Sequence, residues 1–441
     1  MSHAKHAYKH PLLWVPTSYF TMGMVYITVV TASNILFKNL GMNNARSALY
    51  SSLLGFTFTF KPLWSPLLEL FKSKKWWVVL MQVLLAAVFA LMAPALRLQA
   101  WVVPVLGLLM VASLLGATQD IGTDGVYVTT LDSKDQAVFT GIQSASWNIG
   151  YLLVQGPLVM LVGRLAGERL MSADTHPSPQ AYAQAWSMII GVLAVMAGVM
   201  AIWHRFMLPE GAKAKDAPKS FGDAMHTFGD AFLTFFQKKD IWMMLAFAFC
   251  FRAGYGMLDK IGPLFLLDPR SSGGLGLNNT MVGTLTGIVG LIAFILGSVL
   301  GGLFVARRGL KRSLFFLALA MNVPNVTFLY LGMAQPTQIW LIGSVFFIEK
   351  ICWGFGAVGL MIYMMQQMAP GPYRTAHYAF STGLGLNLCM VVTGSLSGYL
   401  QTRVGYKVYF MLALVAAIPS ILFTSLAPFN NSTSDKPEEE A

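Results

Sequence analysis

The chain has 441 residues, 56% of them hydrophobic and 11% charged, with 30 Lys and Arg against 19 Asp and Glu for a net charge of +11. A soluble domain carries about a quarter of its residues charged, so this composition, with a mean hydropathy of +0.60, excludes an ordinary soluble enzyme and indicates an all-α polytopic membrane protein. The positive excess points to topology and anionic lipid as its cause, with no nucleic acid partner implied.

At roughly 20 residues per crossing, twelve apolar stretches are predicted near residues 12–37, 48–71, 76–96, 101–131, 137–165, 182–204, 241–267, 279–306, 311–331, 338–368, 373–402 and 407–427. With both termini cytoplasmic, the short inner loops hold 18 basic residues and the outer ones 8, the bias expected of an N-in, C-in protein. The first eleven residues show no cleavable signal pattern, and His3, His6 and His10 there read as a flexible tail and not as a metal tract. The predicted organisation is a six-helix bundle at 1–204, a cytoplasmic linker at 205–240, a second six-helix bundle at 241–428 and a disordered acidic tail at 429–441, where Asn430 and Asn431 match glycosylation sequons on the cytoplasmic side.

The charges inside these stretches come next, because each costs about 2.5–3.5 kcal/mol at mid-bilayer and must be paired or wetted. Lys61 lies in the second stretch beside Pro62, with Pro66 one turn later, so a kinked helix would turn the lysine inward toward a substrate carboxylate or Asp120. In the fourth stretch Asp120 and Asp124 are four residues apart on one helical face, with Gln119 beside them; they are the candidates for proton coupling, with a structural role for one of them, Asp124 above all, as the alternative. In the linker, Phe221, Met225, Phe228, Phe232, Phe235 and Phe236 recur at helical spacing before Lys238 and Lys239, which predicts a helix on the inner membrane surface.

In the seventh stretch Arg252 and Asp259 share a face with Tyr255 between them, and Gly254, Gly256, Gly262 and Pro263 make the helix easy to interrupt. Arg252 either holds an anion through its planar fork or forms a salt bridge; Asp259 and Lys260 lie late enough to reach the outer surface. In the tenth stretch Glu349 and Lys350 point about 100° apart, so one is expected to face the cavity, with Glu349 a second protonation candidate, and the other to snorkel or meet a neighbouring helix. His377 reads as a packed or loop-facing residue, with a proton relay as the alternative. Tyr26, Gln143, Trp147, Asn148, Gln155, Asn322, Asn325, Tyr363, Gln366 and Asn387 supply amides and aromatic faces of the kind that hold sugar rings, although any one of them taken singly reads more readily as an interhelical hydrogen bond. Gly283 and Gly287, Gly297 and Gly301, and Gly394 and Gly398 are spaced for close helix contacts. Cys250, Cys352 and Cys389 fall inside spans without ligand or disulfide spacing, and no metal site is expected.

The halves resemble each other. Basic loops follow the second and eighth spans, and Tyr127 with TTLDSKDQAVFTGIQSA after it parallels Tyr363 with MMQQMAPGPYRTAHYAFSTGL. Such a duplication of six spans is typical of transporters that rock one half against the other.

The loop GGLFVARRGLKRS resembles the loop motif of the major facilitator superfamily, with Gly302, Arg307, Gly309 and Lys311 at matching positions and Ala306 where an acid is usual. In the looser first copy Ser65 replaces the glycine and Glu69 stands at the acidic position. FKPLWSPLLELF, GATQDIGTDGVYV and VFFIEKICWGFGAVGL look like the AmpG-like muropeptide permease branch, whose relatives include acetyl-CoA and siderophore carriers. The resemblance implies twelve transmembrane helices in two pseudo-symmetric bundles, a bacterial inner membrane and a small-molecule cargo, with a cell-wall saccharide or muropeptide the leading expectation.

No GxSxG, HExxH or GxxxxGK[ST] motif occurs, so neither enzyme nor nucleotide-driven pump is indicated. The reading is a monomeric secondary carrier needing no cofactor beyond a proton gradient. A siderophore or acyl-CoA-type anion carrier and a non-transporting sensor or scaffold are the alternatives.

Overall fold

In hydrocarbon a backbone amide has no water to bond, so each crossing segment must close its own hydrogen bonds as a helix. The computed structural model describes residues 10–65, 68, 72–168, 177–211, 220–371 and 373–429. Ten helices among these residues are long and apolar enough to cross a membrane. The last of them turns sharply at Gly405 (φ 74°, ψ 169°) and so makes two crossings. An eleventh segment is broken and short of that length, which brings the crossings to twelve.

In chain order, α1 spans Pro11–Asn39 and α2 begins as Asn44–Leu53, continuing irregularly to residue 65. Then come α3 (Lys74–Ala95), α4 (Val102–Thr130), α5 (residues 133–166) and α6 (Pro179–Met207). The linker helix α7 (Phe221–Phe236) follows. The second set is α8 (Ile241–Leu267), α9 (Asn279–Arg308), α10 (Leu310–Ala334), α11 (Ile339–Met368), α12 (residues 376–404) and α13 (residues 406–426). Polar residues at the breaks start the helices. Asn43, Ser73, Asp132, Ser178 and Asn278 each accept from the backbone amide three residues on, and Ser220 and Asp223 form a reciprocal capping box on α7.

Within the first set α1 packs on α5, and α3 lies between α4 and α6; within the second α8 packs on α12, and α11 lies between α9 and α10. The halves meet where α2 lies against α12 and α5 against α9. The glycine pairs make these approaches possible. A Cβ on Gly287 would stand 2.2 Å from the Gly156 Cα, one on Gly394 2.4 Å from the Ser52 hydroxyl, and one on Gly297 1.9 Å from the Ile351 carbonyl. Large apolar side chains such as Val103, Trp340 and Leu396 stay exposed around the outside, the surface that lipid covers.

The linker reading needs correction. The Phe228, Phe232 and Phe235 rings of α7 pack against Phe380, and Phe235 also meets His377, so much of the apolar face docks on the second bundle and not on lipid. His377 is buried beneath it, within 3.1 Å of the Ala231 carbonyl. Lys238 donates to the Met368 and Pro370 carbonyls at 2.5 and 2.7 Å. The linker's other end belongs to the first bundle, where the Lys75 amide donates to the Glu210 carbonyl at 3.3 Å and Ser73 and Lys75 hold the Glu210 carboxyl below its usual value. The first bundle also runs to Met207, past the expected 204. Phe429, assigned above to a disordered tail, packs on Tyr363. Residues 430–441 lie outside the described residues, as does Glu69.

Gly297 and Gly302 provide a matched test of packing. Gly297→Ala should destabilise by about 1–3 kcal/mol through overpacking of α9 on α11, while Gly302→Ala, with nothing within 4 Å, should leave thermal unfolding in detergent unchanged. Equal melting temperatures for the two would refute this packing.

Candidate functional site

Pro62 has no amide to give to a helix, and at Lys61–Leu63 the second crossing tightens into a single 3₁₀ turn. The Trp64 indole then donates to Thr118 at 3.2 Å and fixes the bend on α4. The bend presents Lys61 to Asp120, and the two form an ion pair. Their side chains retain 26% and 15% exposure, so water reaches the pair. One turn on, Asp124 accepts a hydrogen bond from the Tyr19 hydroxyl of α1 at 2.8 Å. Two carboxylates and one ammonium thus meet at the bend.

An aromatic run leads away from this cluster toward the end of the bundle opposite the termini. Tyr26 stands edge-on to Phe58 at 4.8 Å and next to Trp147 at 5.8 Å, and Trp147 adjoins Tyr151 at 6.1 Å. Tyr26 lies within electrostatic reach of both Asp120 and Lys61 in its own half and Asp259 and Arg252 in the other.

In the second half, Tyr255 and Trp353 stack at 4.7 Å with their planes 9° apart. Arg252 stands over both rings at 5.6 and 6.0 Å, and its Nε approaches the Met390 sulfur at 3.3 Å. Among the described residues no carboxylate pairs with it. Lys350 lies over Tyr255, Phe346 and Trp353 at 5.2–5.3 Å. It also comes within 3.1 Å of Glu349 Oε2, outside hydrogen-bonding alignment. Thr31 and Gln155 of the first half and Asp259, Glu349 and Lys350 of the second line one cavity of about 40 Å³. That is room for a few waters and not for a sugar ring.

Three widened π-helical turns converge on this cavity: Thr28–Ala32 in α1, Val154–Leu158 in α5 and Thr284–Val289 in α9. Such turns disturb the regular ladder and recur at functional sites. Near the first of them Lys260 Nζ donates across the seam to the Val30 carbonyl at 2.5 Å, and Asn34 returns a bond to the Lys260 carbonyl at 2.8 Å.

Several expectations change. Glu349 and Lys350 pair with each other although their backbones diverge, because the lysine's long stem folds back. Lys260 is 2% exposed and belongs to the seam, not to the surface. Asn322 bonds the Phe251 and Ala318 carbonyls and Ser420, holding helices together. Tyr363 donates to the Pro428 carbonyl at 2.8 Å, and Asn148 to its own helix at Ser144. Gln366 is exposed, Gln143 and Asn387 are half-buried, and Gln119 and Asn325 are fully buried with both amide atoms unbonded. In the loop motif Gly309 takes a positive φ of 76° between α9 and α10, Lys311 stands over Phe429 at 5.8 Å, Arg307 is exposed, and Gly302 has open space around it.

Glu168 and Asp268 lie just beyond the apolar stretches 137–165 and 241–267, and neither is among the candidates named from the sequence. Both are buried and both bond across the seam. The signal available was a short repeat, Gly41-Met-Asn-Asn and Gly276-Leu-Asn-Asn.

Two six-helix halves packed around a charged seam define a twelve-helix membrane protein. The chain belongs to the major facilitator superfamily, whose model matches residues 13–386. It is 22% identical over 401 residues to the anhydromuropeptide permease of Escherichia coli (strain K12), an alignment covering 89% of this chain and 73% of that one. Its fold superposes on a D-xylose-proton symporter with a TM-score of 0.70 at 10% identity, covering 94% of this chain and 96% of the other. It superposes on the nucleoside transporter NupG at 0.66 and 14% identity, covering 94% and 97%. The protein is a multi-pass membrane transporter and not an enzyme.

The ion pair at the bend is open to a double-mutant cycle. Lys61→Ala should cost about 2 kcal/mol by leaving Asp120 uncompensated, and Lys61→Ala with Asp120→Ala should recover most of that loss. Simple additivity in thermal unfolding would show that the pair carries no coupling.

Proposed function

We propose that the protein imports a cell-wall-derived saccharide or muropeptide together with protons, in a bacterial inner membrane with both termini cytoplasmic. The observation that carries the reading is the pair Asp120 and Asp124 on one face of α4, water-accessible, beside Lys61 and facing a seam between two halves. In this scheme the carboxylates take up the proton, Lys61 exchanges its partner when they do, and the cargo lies along Tyr26, Trp147 and the Tyr255–Trp353 stack. Aromatic faces with nearby amides suit sugar rings, and Arg252, without a carboxylate of its own, suits an acidic group on the cargo. The similarity to the anhydromuropeptide permease supports the cargo class, and the basic residues of the short loops support the orientation. Glu349 serves as a second protonation candidate.

Arg252 also favours a second reading, transport of a siderophore or acyl-CoA-type anion with no sugar requirement. A sensor or scaffold role would predict binding without flux.

Uptake into proteoliposomes distinguishes these. An anhydromuropeptide should accumulate when the lumen is alkaline relative to the bath and stop accumulating on addition of an uncoupler. Asp120→Asn and Asp124→Asn should each abolish concentrative uptake while sparing exchange. Accumulation indifferent to the uncoupler would remove proton coupling, and competition by metal chelates but not by sugars would favour the anion reading.

A further inference from the structure

The repeated Gly-x-Asn-Asn turn stands at the same place in each half, before α2 and before α9, at the end of the bundle opposite the termini. Gly41 and Gly276 adopt φ of +86° and +63°, a region open to glycine and costly for other residues. The first asparagine of each copy caps its own helix: Asn43 accepts from the Arg46 amide and Asn278 from the Met281 amide, both at 2.9 Å.

The second asparagine of each copy crosses to the other half. Asn44 donates to Asp268 at 2.7 Å and to Gln401 at 3.0 Å, and lies 2.9 Å from the Tyr406 hydroxyl. Asp268 also pairs with Lys38 of the first half. Asn279 donates from its side chain to Glu168 at 2.8 Å and from its backbone at 3.0 Å, while Thr280 gives the same carboxylate its amide at 3.0 Å and its hydroxyl at 3.2 Å. Glu168 thus seats a negative charge of the first half on the amino end of α9 in the second, where the helix dipole favours it. Tyr182 holds it from behind at 2.8 Å.

We infer that the two turns form a matched pair of bolts that hold this end of the transporter shut. Each bolt joins an asparagine of one half to an acidic residue of the other, and each adjoins one of the glycine-lined contacts, Gly398 against Asn44 and Ala45, and Gly283 against Met160 and Gly156. Separating the halves here breaks both sets of bonds together, because α2 with α12 and α5 with α9 flank a single seam. Loss of either bolt shifts the resting population toward opening at this end. The inference rests on the fold alone and stands whatever the cargo or coupling ion.

Accessibility of the seam tests it. In a chain with Cys250, Cys352 and Cys389 replaced by alanine, Ser52→Cys places one thiol at the α2–α12 contact, where Ser52 is 1% exposed. Alkylation of purified protein by N-ethylmaleimide should be slow in this parent and at least about tenfold faster with Asp268→Asn, Glu168→Gln, Asn44→Ala or Asn279→Ala. Lys38→Asp and Asp268→Lys should each speed labelling, and the charge-swapped double variant should return toward the parent rate. Rates within twofold of the parent in all four single variants, or a swap as fast as its components, would overturn the inference. If the single variants do not fold, the swap decides: a folded, slowly labelled protein supports the bolt, and failure to recover either property refutes it.

Discussion

The structure depends on one constraint, that a charge within the hydrocarbon is tolerated only where another group answers it. Lys61 answers Asp120, Tyr19 answers Asp124, the Val30 carbonyl answers Lys260, and Lys350 answers Glu349 while lying over three aromatic rings. All of these stand along or beside the seam between the halves. The outer surfaces of the helices carry apolar side chains and few such groups. The polar chemistry is thus concentrated along the seam.

Each half is also a separately packed body with its own hold on the linker. The start of the linker is bonded to the first bundle at Lys75 and its helix α7 to the second at His377 and Lys238, so each described end of the linker is anchored on one bundle. The close glycine contacts within each half, Gly23 on Trp147 and Gly297 on Ile351, make each bundle a densely packed body. At the cross-half contacts the same small residues allow separation without large side chains having to withdraw. Packed bodies of this kind switch between discrete arrangements and do not deform smoothly.

Much of the fold was legible in the sequence, because twelve runs of apolar residues with polar breaks leave little choice in a membrane. The bend at Lys61 was legible from Pro62, and the shared face of Asp120 and Asp124 from their spacing. The widened turns at Thr28–Ala32 and Thr284–Val289 were not, since one extra residue in a helical turn barely alters an apolar pattern. Glu349 and Lys350 misled because backbone angle fixes the direction of Cβ and not the reach of a four-carbon stem. Glu168 and Asp268 were hidden by position: hydropathy assigns charges at span ends to water, and only the packing of the opposite half buries them. Asn322 and Tyr363 read as lining residues because helix-joining amides and hydroxyls look the same in sequence as those that face a cavity.

Two rigid halves rocking about this seam would open one end as they close the other. Pulsed electron–electron resonance on two spin-labelled pairs tests it most directly, with Arg46→Cys and Ser271→Cys at the end opposite the termini and Asp135→Cys and Arg374→Cys at the other, in a cysteine-free background. On adding an anhydromuropeptide, the account predicts that the first distance lengthens as the second shortens, in the same fraction of molecules. Distances that both stay fixed, or one end moving while the other holds, would contradict it.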